Sequence, residues 1–386
     1  MTTTQLPDPD PEGAASSAAL ASIICNEIRS EDSNWISFAR FMELALYAPM
    51  LGYYCGGSRK FGHAGDFVTA PELSRLFGAT LAPFAKATMA ASQSQILEFG
   101  AGSGLLAAQL LAELERIDAL PARYAILDLS GELRARQKET LESRVPALAE
   151  RVEWLDALPQ EFSGLILANE VLDAMPVHLV RWSGAEILER GVTCAADGSF
   201  QWADRLAHGT VLDVAQHLPV HPPYLSEVAP SASAWVAECG RLLSSGALLL
   251  LDYGFPRSEY YHPQRNAGTL MCHYRHHAHS DPLWWPGLND ITVHVDFTAV
   301  AEAGVSSGLD LVGYTSQAAF LMECGILERL QATGPSDSVG YLREASSVQK
   351  LLSPSEMGEL FKVIAFSKGI GELLPGFGRA DRTHTL

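Results

Sequence analysis

The sequence predicts an α/β fold, a parallel sheet with helices on both faces, and three observations carry that prediction. First, short, mostly apolar segments at residues 96–99, 124–129, 152–155, 165–168 and 247–251 alternate with helical stretches. Continuous apolar strands of this kind belong to sheets covered on both sides. Second, the run at 96–99 leads into Gly100-Ala101-Gly102-Ser103-Gly104 and then an Ala- and Leu-rich helical stretch, 105–114. That is a strand, a tight turn and a helix, the entrance of a nucleotide-type pocket. Third, the five runs end in Glu98, Asp128, Asp156, Asn169-Glu170 and Asp252. Open α/β sheets bind ligands at the carboxyl edge of their strands.

The elements follow in chain order. Residues 1–17, Thr-, Pro- and acid-rich, predict a disordered tail. Residues 18–29 have helical apolar spacing, and a second helix over 36–47 stops at Ala48-Pro49. A Gly-, Tyr- and Lys-rich loop over 52–65 leads to Asp66, and Pro71 with Glu72 suits the first turn of a helix reaching Ala90. Residues 18–92 therefore predict an N-terminal helical cap, and 93–386 the sheet core. Within that core a helix over 132–141 follows the second strand. Weak alternation at 180–182, 187–190 and 200–202 places extra strands in an insertion at about 181–245. A second insertion, about 256–297, reads as loop rich in His, Pro, Trp and Gly; helical spacing resumes at 297–303 and 316–333.

Composition narrows the function. Acidic residues outnumber basic ones 45 to 27, a net charge of −18, which argues against a nucleic-acid backbone or an anionic membrane surface as partner. The six cysteines are scattered without a C-x-x-C pair, so neither a disulfide framework nor zinc spacing is expected. The longest apolar run, 247–251, is too short to span a bilayer, and no basic apolar leader is seen. These features predict a soluble, cytoplasmic protein.

The ligand at the glycine turn follows from its neighbours. A pyrophosphate favours bare amides and the positive end of a helix, and Glu98 opposes it. Leu105 and Leu106 stand where a dinucleotide fingerprint has its third glycine. A cationic, phosphate-free nucleoside fits better, which is S-adenosyl-L-methionine. Gly100, Gly102, Ser103 and Gly104 would let the backbone approach it, and Asn169 would lie at the same edge. Asp128 would accept both ribose hydroxyls and Asp156 the adenine amino group, with Leu129 or Leu155 on the ring. Glu98 would meet the methionine ammonium. The combination predicts the class I methyltransferase sandwich, a Rossmann-like seven-stranded sheet.

Longer stretches resemble one family. Gly65-Asp66-Phe67-Val68-Thr69-Ala70-Pro71-Glu72-Leu73-Ser74-Arg75-Leu76-Phe77-Gly78 is similar to the signature of the MidA family, methyltransferase relatives of a complex I assembly factor that methylates an arginine. Tyr47-Ala48-Pro49-Met50-Leu51-Gly52-Tyr53-Tyr54, Asn169-Glu170-Val171-Leu172-Asp173-Ala174-Met175-Pro176-Val177 and Asp252-Tyr253-Gly254 match as well. So do Gly268-Thr269-Leu270 and the run from Pro286-Gly287-Leu288-Asn289-Asp290 to Phe297. Ala70 stands where the family commonly has Ser. The resemblance runs from about residue 20 to the C-terminus. It implies methylation of an arginine on a protein subunit of the respiratory NADH:quinone oxidoreductase. A small-molecule methyltransferase of the same fold, or a non-catalytic cofactor-binding assembly factor, stays open.

A guanidinium stays protonated near neutral pH and is a poor nucleophile, so an arginine site needs carboxylates to grip it and a group to take a proton. Glu170 and Asp173, after the fourth strand, are the candidate catalytic carboxylates, with loop solvation or helix capping as the plainer role. His294 is a candidate proton acceptor beside Asp296, and Asp66 could close over the cofactor or cap the following helix. The histidines 262, 273, 276, 277 and 279 match no zinc spacing, and methyl transfer from a sulfonium needs no metal. Trp284-Trp285 would stack on substrate or pack on the sheet.

Overall fold

The computed structural model describes residues 6–56, 69–371 and 373–386, which form two compact units. One comprises Val68–Leu172, Ser233–Arg257 and Val295–Leu386; the other comprises Met1–Phe67, Asp173–Ala232 and Ser258–His294.

The first unit is built on seven strands: β1 (Gln95–Phe99), β2 (Arg123–Leu127), β3 (Val152–Leu155), β4 (Phe162–Asn169), β5 (Leu243–Phe255), β6 (Asp310–Ser316) and β7 (Phe361–Lys368). Their order is β3-β2-β1-β4-β5-β7-β6. The strands β1 to β5 are parallel, and β7 runs antiparallel to both its neighbours. This is the predicted sandwich, and all five predicted segments are strands in it. Val295–Asp296 adds a short parallel pairing to the end of β5. The helices Leu76–Ala91 and Leu105–Arg116 pack Leu81, Phe84, Leu106 and Leu110 onto Ile96, Leu165 and Leu249 of the sheet. Burial of that continuous apolar surface is what holds the parallel strands together.

Two predicted helices are each broken in two. The stretch from Pro71 to Ala90 forms Ala70–Leu73 and Leu76–Ala91, because Ser74 is extended (φ −146°, ψ 132°) and its Oγ accepts the Leu76 N–H at 3.1 Å. The stretch 316–333 forms Gln317–Glu323 and Ile326–Ala332, separated by Gly325 at φ +86°.

The second unit carries a five-stranded antiparallel sheet: Ile36–Ser37, His178–Ser183, Glu186–Cys194, Phe200–Leu206 and Tyr224–Val228. Three of these lie at the predicted alternating segments. Its long helix begins earlier than expected, at Pro11, because Asp10 caps the Gly13 N–H at 2.8 Å and Pro11 fills the first turn. Residues 11–17, read as tail, are therefore helical, and 1–5 lie outside the described residues. Leu20, Ile24 and Ile28 of this helix pack with Phe38, Phe41, Leu179 and Val192. Cys25 and Cys194 form a disulfide that ties the helix to the sheet. The expectation of no disulfide is thereby corrected; the partners are 169 residues apart, and no local spacing marks them.

The loop-rich stretch also contains a small sheet, Met271–Tyr274 between His277–His279 and Asp290–Thr292. His279 Nε2 lies 3.0 Å from Asn289 Oδ1, and Trp284 packs edge-on against Tyr274, His279 and Trp285. Among the described residues no helix is long and apolar enough to cross a membrane.

Candidate active site

The glycine turn joins β1 to the helix Leu105–Arg116. Gly104 caps that helix at φ +82°, and a Cβ there would sit 2.9 Å from the Gln137 Cα. Only glycine meets both conditions. Gly100 (φ +60°) and Gly102 (φ +53°) complete the turn, and Gly100 N–H donates to Leu127 O at 3.1 Å. Gln137, fully buried, donates from Nε2 to Gly102 O at 3.2 Å and to Asp128 Oδ2 at 2.7 Å. Its Oε1 accepts the Trp154 indole N–H at 2.8 Å. One amide thus joins the turn, β2 and β3. No motif marks Gln137 in the sequence, although its spacing (Leu133, Gln137, Leu141) puts a polar residue on the buried stripe of an otherwise polar helix. Ser103 Oγ donates to Glu72 Oε1 at 2.6 Å.

The strand ends do not all face one way. Asp128 is 7 % exposed, and burial raises its pKa. Its Oδ1 accepts Ser130 N–H at 3.0 Å and its Oδ2 accepts Gln137, which leaves a lone pair on each oxygen. Leu129 beside it is exposed. The Asp156 carboxylate projects outward, 92 % exposed, and pairs with Arg134 Nη1 at 2.6 Å. Arg134 also donates to Asp128 O at 3.1 Å and Leu155 O at 2.5 Å, so it ties the ends of β2 and β3. Glu98 is sealed, 1 % exposed, with Oε2 accepting Tyr124 O–H at 2.6 Å. Burial pushes its pKa up to about 7, against the pull of the Tyr124 hydrogen bond.

After β4 the chain turns sharply. Glu170 has φ +55°, uncommon for a residue with a side chain, and its N–H donates to Leu251 O at 2.9 Å. Asp252 holds that turn from below: Oδ2 accepts Val171 N–H at 3.2 Å and Leu172 N–H at 2.9 Å, and Oδ1 accepts Tyr253 N–H at 2.8 Å. Asp252 is 1 % exposed, so this strand end braces the edge from inside. Asn169 Nδ2 donates to Glu170 Oε1 at 2.9 Å, while Asn169 Oδ1 is buried without a hydrogen-bond partner among the described residues. A buried polar atom without a partner calls for a ligand or a water.

The second unit assembles another acidic cluster. Asp173 is 5 % exposed, and its carbonyl accepts Val293 N–H at 3.0 Å. Tyr54 O–H donates to Asp290 Oδ1 at 2.8 Å; Tyr47 stacks on Tyr54 at 5.5 Å and donates to Ala174 O at 2.9 Å. Burial, then the charge of Asp290, the neighbouring Tyr47 and the charge of Asp173, keep the Tyr54 phenol well above its ordinary pKa. His294 N–H donates to Thr269 Oγ1 at 3.0 Å, and the buried Glu227 accepts from Thr269 N–H at 2.9 Å. Asp296 caps the helix Phe297–Ser306 and pairs with Arg257 at 3.3 Å, a structural use. Asp66 lies outside the described residues.

The donor set at the glycine turn fits S-adenosyl-L-methionine. The side chains bonded to the turn, Gln137 and Glu72, carry no positive charge for a phosphate. Asp128 keeps acceptor capacity for ribose hydroxyls, and Asn169 Oδ1 awaits a donor.

Comparisons with known proteins agree. Residues 76–315 match the family described as putative S-adenosyl-L-methionine-dependent methyltransferase. The protein arginine methyltransferase NDUFAF7 of Mus musculus is 30% identical over 86% of this chain and 80% of its own. The Drosophila melanogaster homolog is 26% identical over 94% and 89%. A Burkholderia thailandensis structure, described as a methyl transferase candidate bound to S-adenosyl-homocysteine, is 52% identical with a TM-score of 0.95, covering 99% of this chain and 100% of that one. The chain belongs to this family of S-adenosyl-L-methionine-dependent methyltransferases, homologous to the mitochondrial protein arginine methyltransferases NDUFAF7.

Proposed function

We propose that this methyltransferase modifies an arginine of a protein subunit of the respiratory NADH:quinone oxidoreductase, in the cytoplasm, and so supports assembly of that complex. The observation that carries the arginine reading is the cluster of the buried Asp173 and Asp290 with the half-buried Tyr54 and Tyr47. Carboxylates with phenols beside them suit a guanidinium, which is planar, cationic and rich in N–H donors. The relatives named protein arginine methyltransferases support the same acceptor.

When bound, S-adenosyl-L-methionine supplies an electrophilic methyl carbon on its sulfonium. The protein's task is then to position and to handle a proton. Asp128 receives the ribose hydroxyls, Leu129 packs on the adenine, and Asp156, held by Arg134, is the candidate for its amino group. Gly100, Gly102 and Gly104 would let backbone come close to the nucleoside, and the buried, unpartnered oxygen of Asn169 would accept from the same ligand. Glu170 is the candidate catalytic carboxylate in the sheet unit. Asp173 and His294 are those of the second unit, Asp173 to hold guanidinium N–H groups and His294 to take the proton released on methylation. Orientation of the attacking nitrogen supplies much of the rate.

The test is incubation with methyl-labelled cofactor and isolated complex subunits, followed by mass spectrometry. A methylated arginine is expected on one subunit. Label found only in small molecules would overturn the proposal in favour of a small-molecule acceptor.

A further inference from the structure

We propose that Glu72, and not Glu98, is the carboxylate that receives the ammonium of the cofactor's amino-acid end. The inference rests on the assignment of the glycine turn as the cofactor site. Glu72 belongs to the short helix Ala70–Leu73, and its Oε1 accepts the Ser103 hydroxyl at 2.6 Å. That bond places the carboxylate at the glycine turn itself. Its second oxygen, Oε2, has no hydrogen-bond partner among the described residues, and the side chain is only partly buried.

The placement is rigid. Gln109, on the helix that follows the turn, donates from Nε2 to Pro71 O at 2.7 Å and accepts the Gly78 N–H at 3.0 Å. A Cβ at Gly78 would come within 2.7 Å of the Gln109 Cβ, so this close approach depends on glycine. Beyond Glu72, Ser74 Oγ donates to Glu344 Oε2 at 2.9 Å. The segment carrying Glu72 is thus fastened on both sides of it. Glu98 differs in both respects: it is 1 % exposed and already receives Tyr124 O–H. A cation could reach Glu98 only by opening the packing beneath the turn, whereas Glu72 Oε2 needs no rearrangement. Ser103 then acts as a positioning residue, orienting Glu72.

Two ligands separate the amino-acid end from the nucleoside: S-adenosylhomocysteine, and 5′-methylthioadenosine, which lacks that end. Calorimetric titration of Glu72→Gln should show S-adenosylhomocysteine weakened about tenfold or more, the loss of one charge-assisted hydrogen bond. The affinity for 5′-methylthioadenosine should change less than about twofold on the same principle. Equal weakening of both ligands would overturn the inference, because Glu72 would then only hold the segment in place. No weakening of either would overturn it as well. Gly104→Val tests the underlying assignment separately: folded by circular dichroism, it should lose both ligands. Wild-type binding of both would mean that the glycine turn is not the cofactor site, whatever Glu72 does.

Discussion

Glu98 offers a quantitative test of how the glycine turn is supported. Its carboxyl is buried against Tyr124, and burial lifts its pKa from 4.5 to about 7. Between these values the folded protein keeps a proton that the unfolded chain has lost. The unfolded state binds fewer protons there, so stability falls as pH rises from about 4.5 to about 7 and then levels off. At about 1.4 kcal/mol per pH unit the total is about 3 kcal/mol, most of it falling between pH 5 and pH 8. Glu98→Gln removes this loss but keeps the Tyr124 hydrogen bond, since the amide oxygen still accepts it. Urea unfolding of both proteins at pH 5 and pH 8 gives the double difference, in which other titrating groups largely cancel. The variant should gain on the wild type by about 2–3 kcal/mol over that interval. Parallel stabilities at the two pH values would show that Glu98 is solvated and ionised, and the packing argument would fail.

Other perturbations address the remaining contacts. Asp252→Ala leaves the Val171 and Leu172 N–H groups without their acceptor; it should cost about 2–3 kcal/mol in urea unfolding and lower kcat through the displaced Glu170 turn. Unchanged stability would mean that water replaces the carboxylate. Glu170→Ala should abolish methyl transfer in the labelled-subunit assay while S-adenosylhomocysteine still binds in calorimetry; retained turnover would remove Glu170 from the chemistry. For the Cys25–Cys194 bridge, loop entropy over 169 residues gives about 5 kcal/mol. Cys194→Ser should therefore unfold at lower urea than the oxidised wild type and be insensitive to reductant, and equal midpoints would show that the bridge does not form.

The sheet was legible because burial on both faces forces short apolar runs bounded by turn and acidic residues. The strands around Leu97, Ile126, Ile166 and Leu249 all announce themselves this way. β6 does not, since Gly313, Thr315 and Ser316 dilute it; in β7 the polar Lys362 and Ser367 bracket a short apolar run, Val363 to Phe366, although Lys362 is itself only 4 % exposed. A lysine whose ammonium reaches the Leu360 carbonyl at 3.4 Å looks in sequence like a lysine in water. The helix break at Ser74 was hidden for a similar reason, since the serine replaces one backbone acceptor by its own hydroxyl.

The site was legible in residue type and in place along the chain, but not in direction. Glu98, Asp128, Asp156 and Asp252 occupy equivalent strand ends, yet their surroundings give them four different uses. Tyr124 seals the first, Gln137 orients the second, Arg134 draws the third outward, and three backbone amides consume the fourth. Each partner is a long or aromatic side chain, or a loop amide, whose aim depends on packing elsewhere. An acidic strand end is therefore evidence of a pocket edge, and only its partner decides whether the carboxylate faces a ligand. By that criterion Asp128, buried but with acceptor capacity left on both oxygens, is the carboxylate of the four best placed for a cofactor. Glu72 meets the same criterion from a segment that carries no strand at all, which is why a search confined to strand ends passes over it.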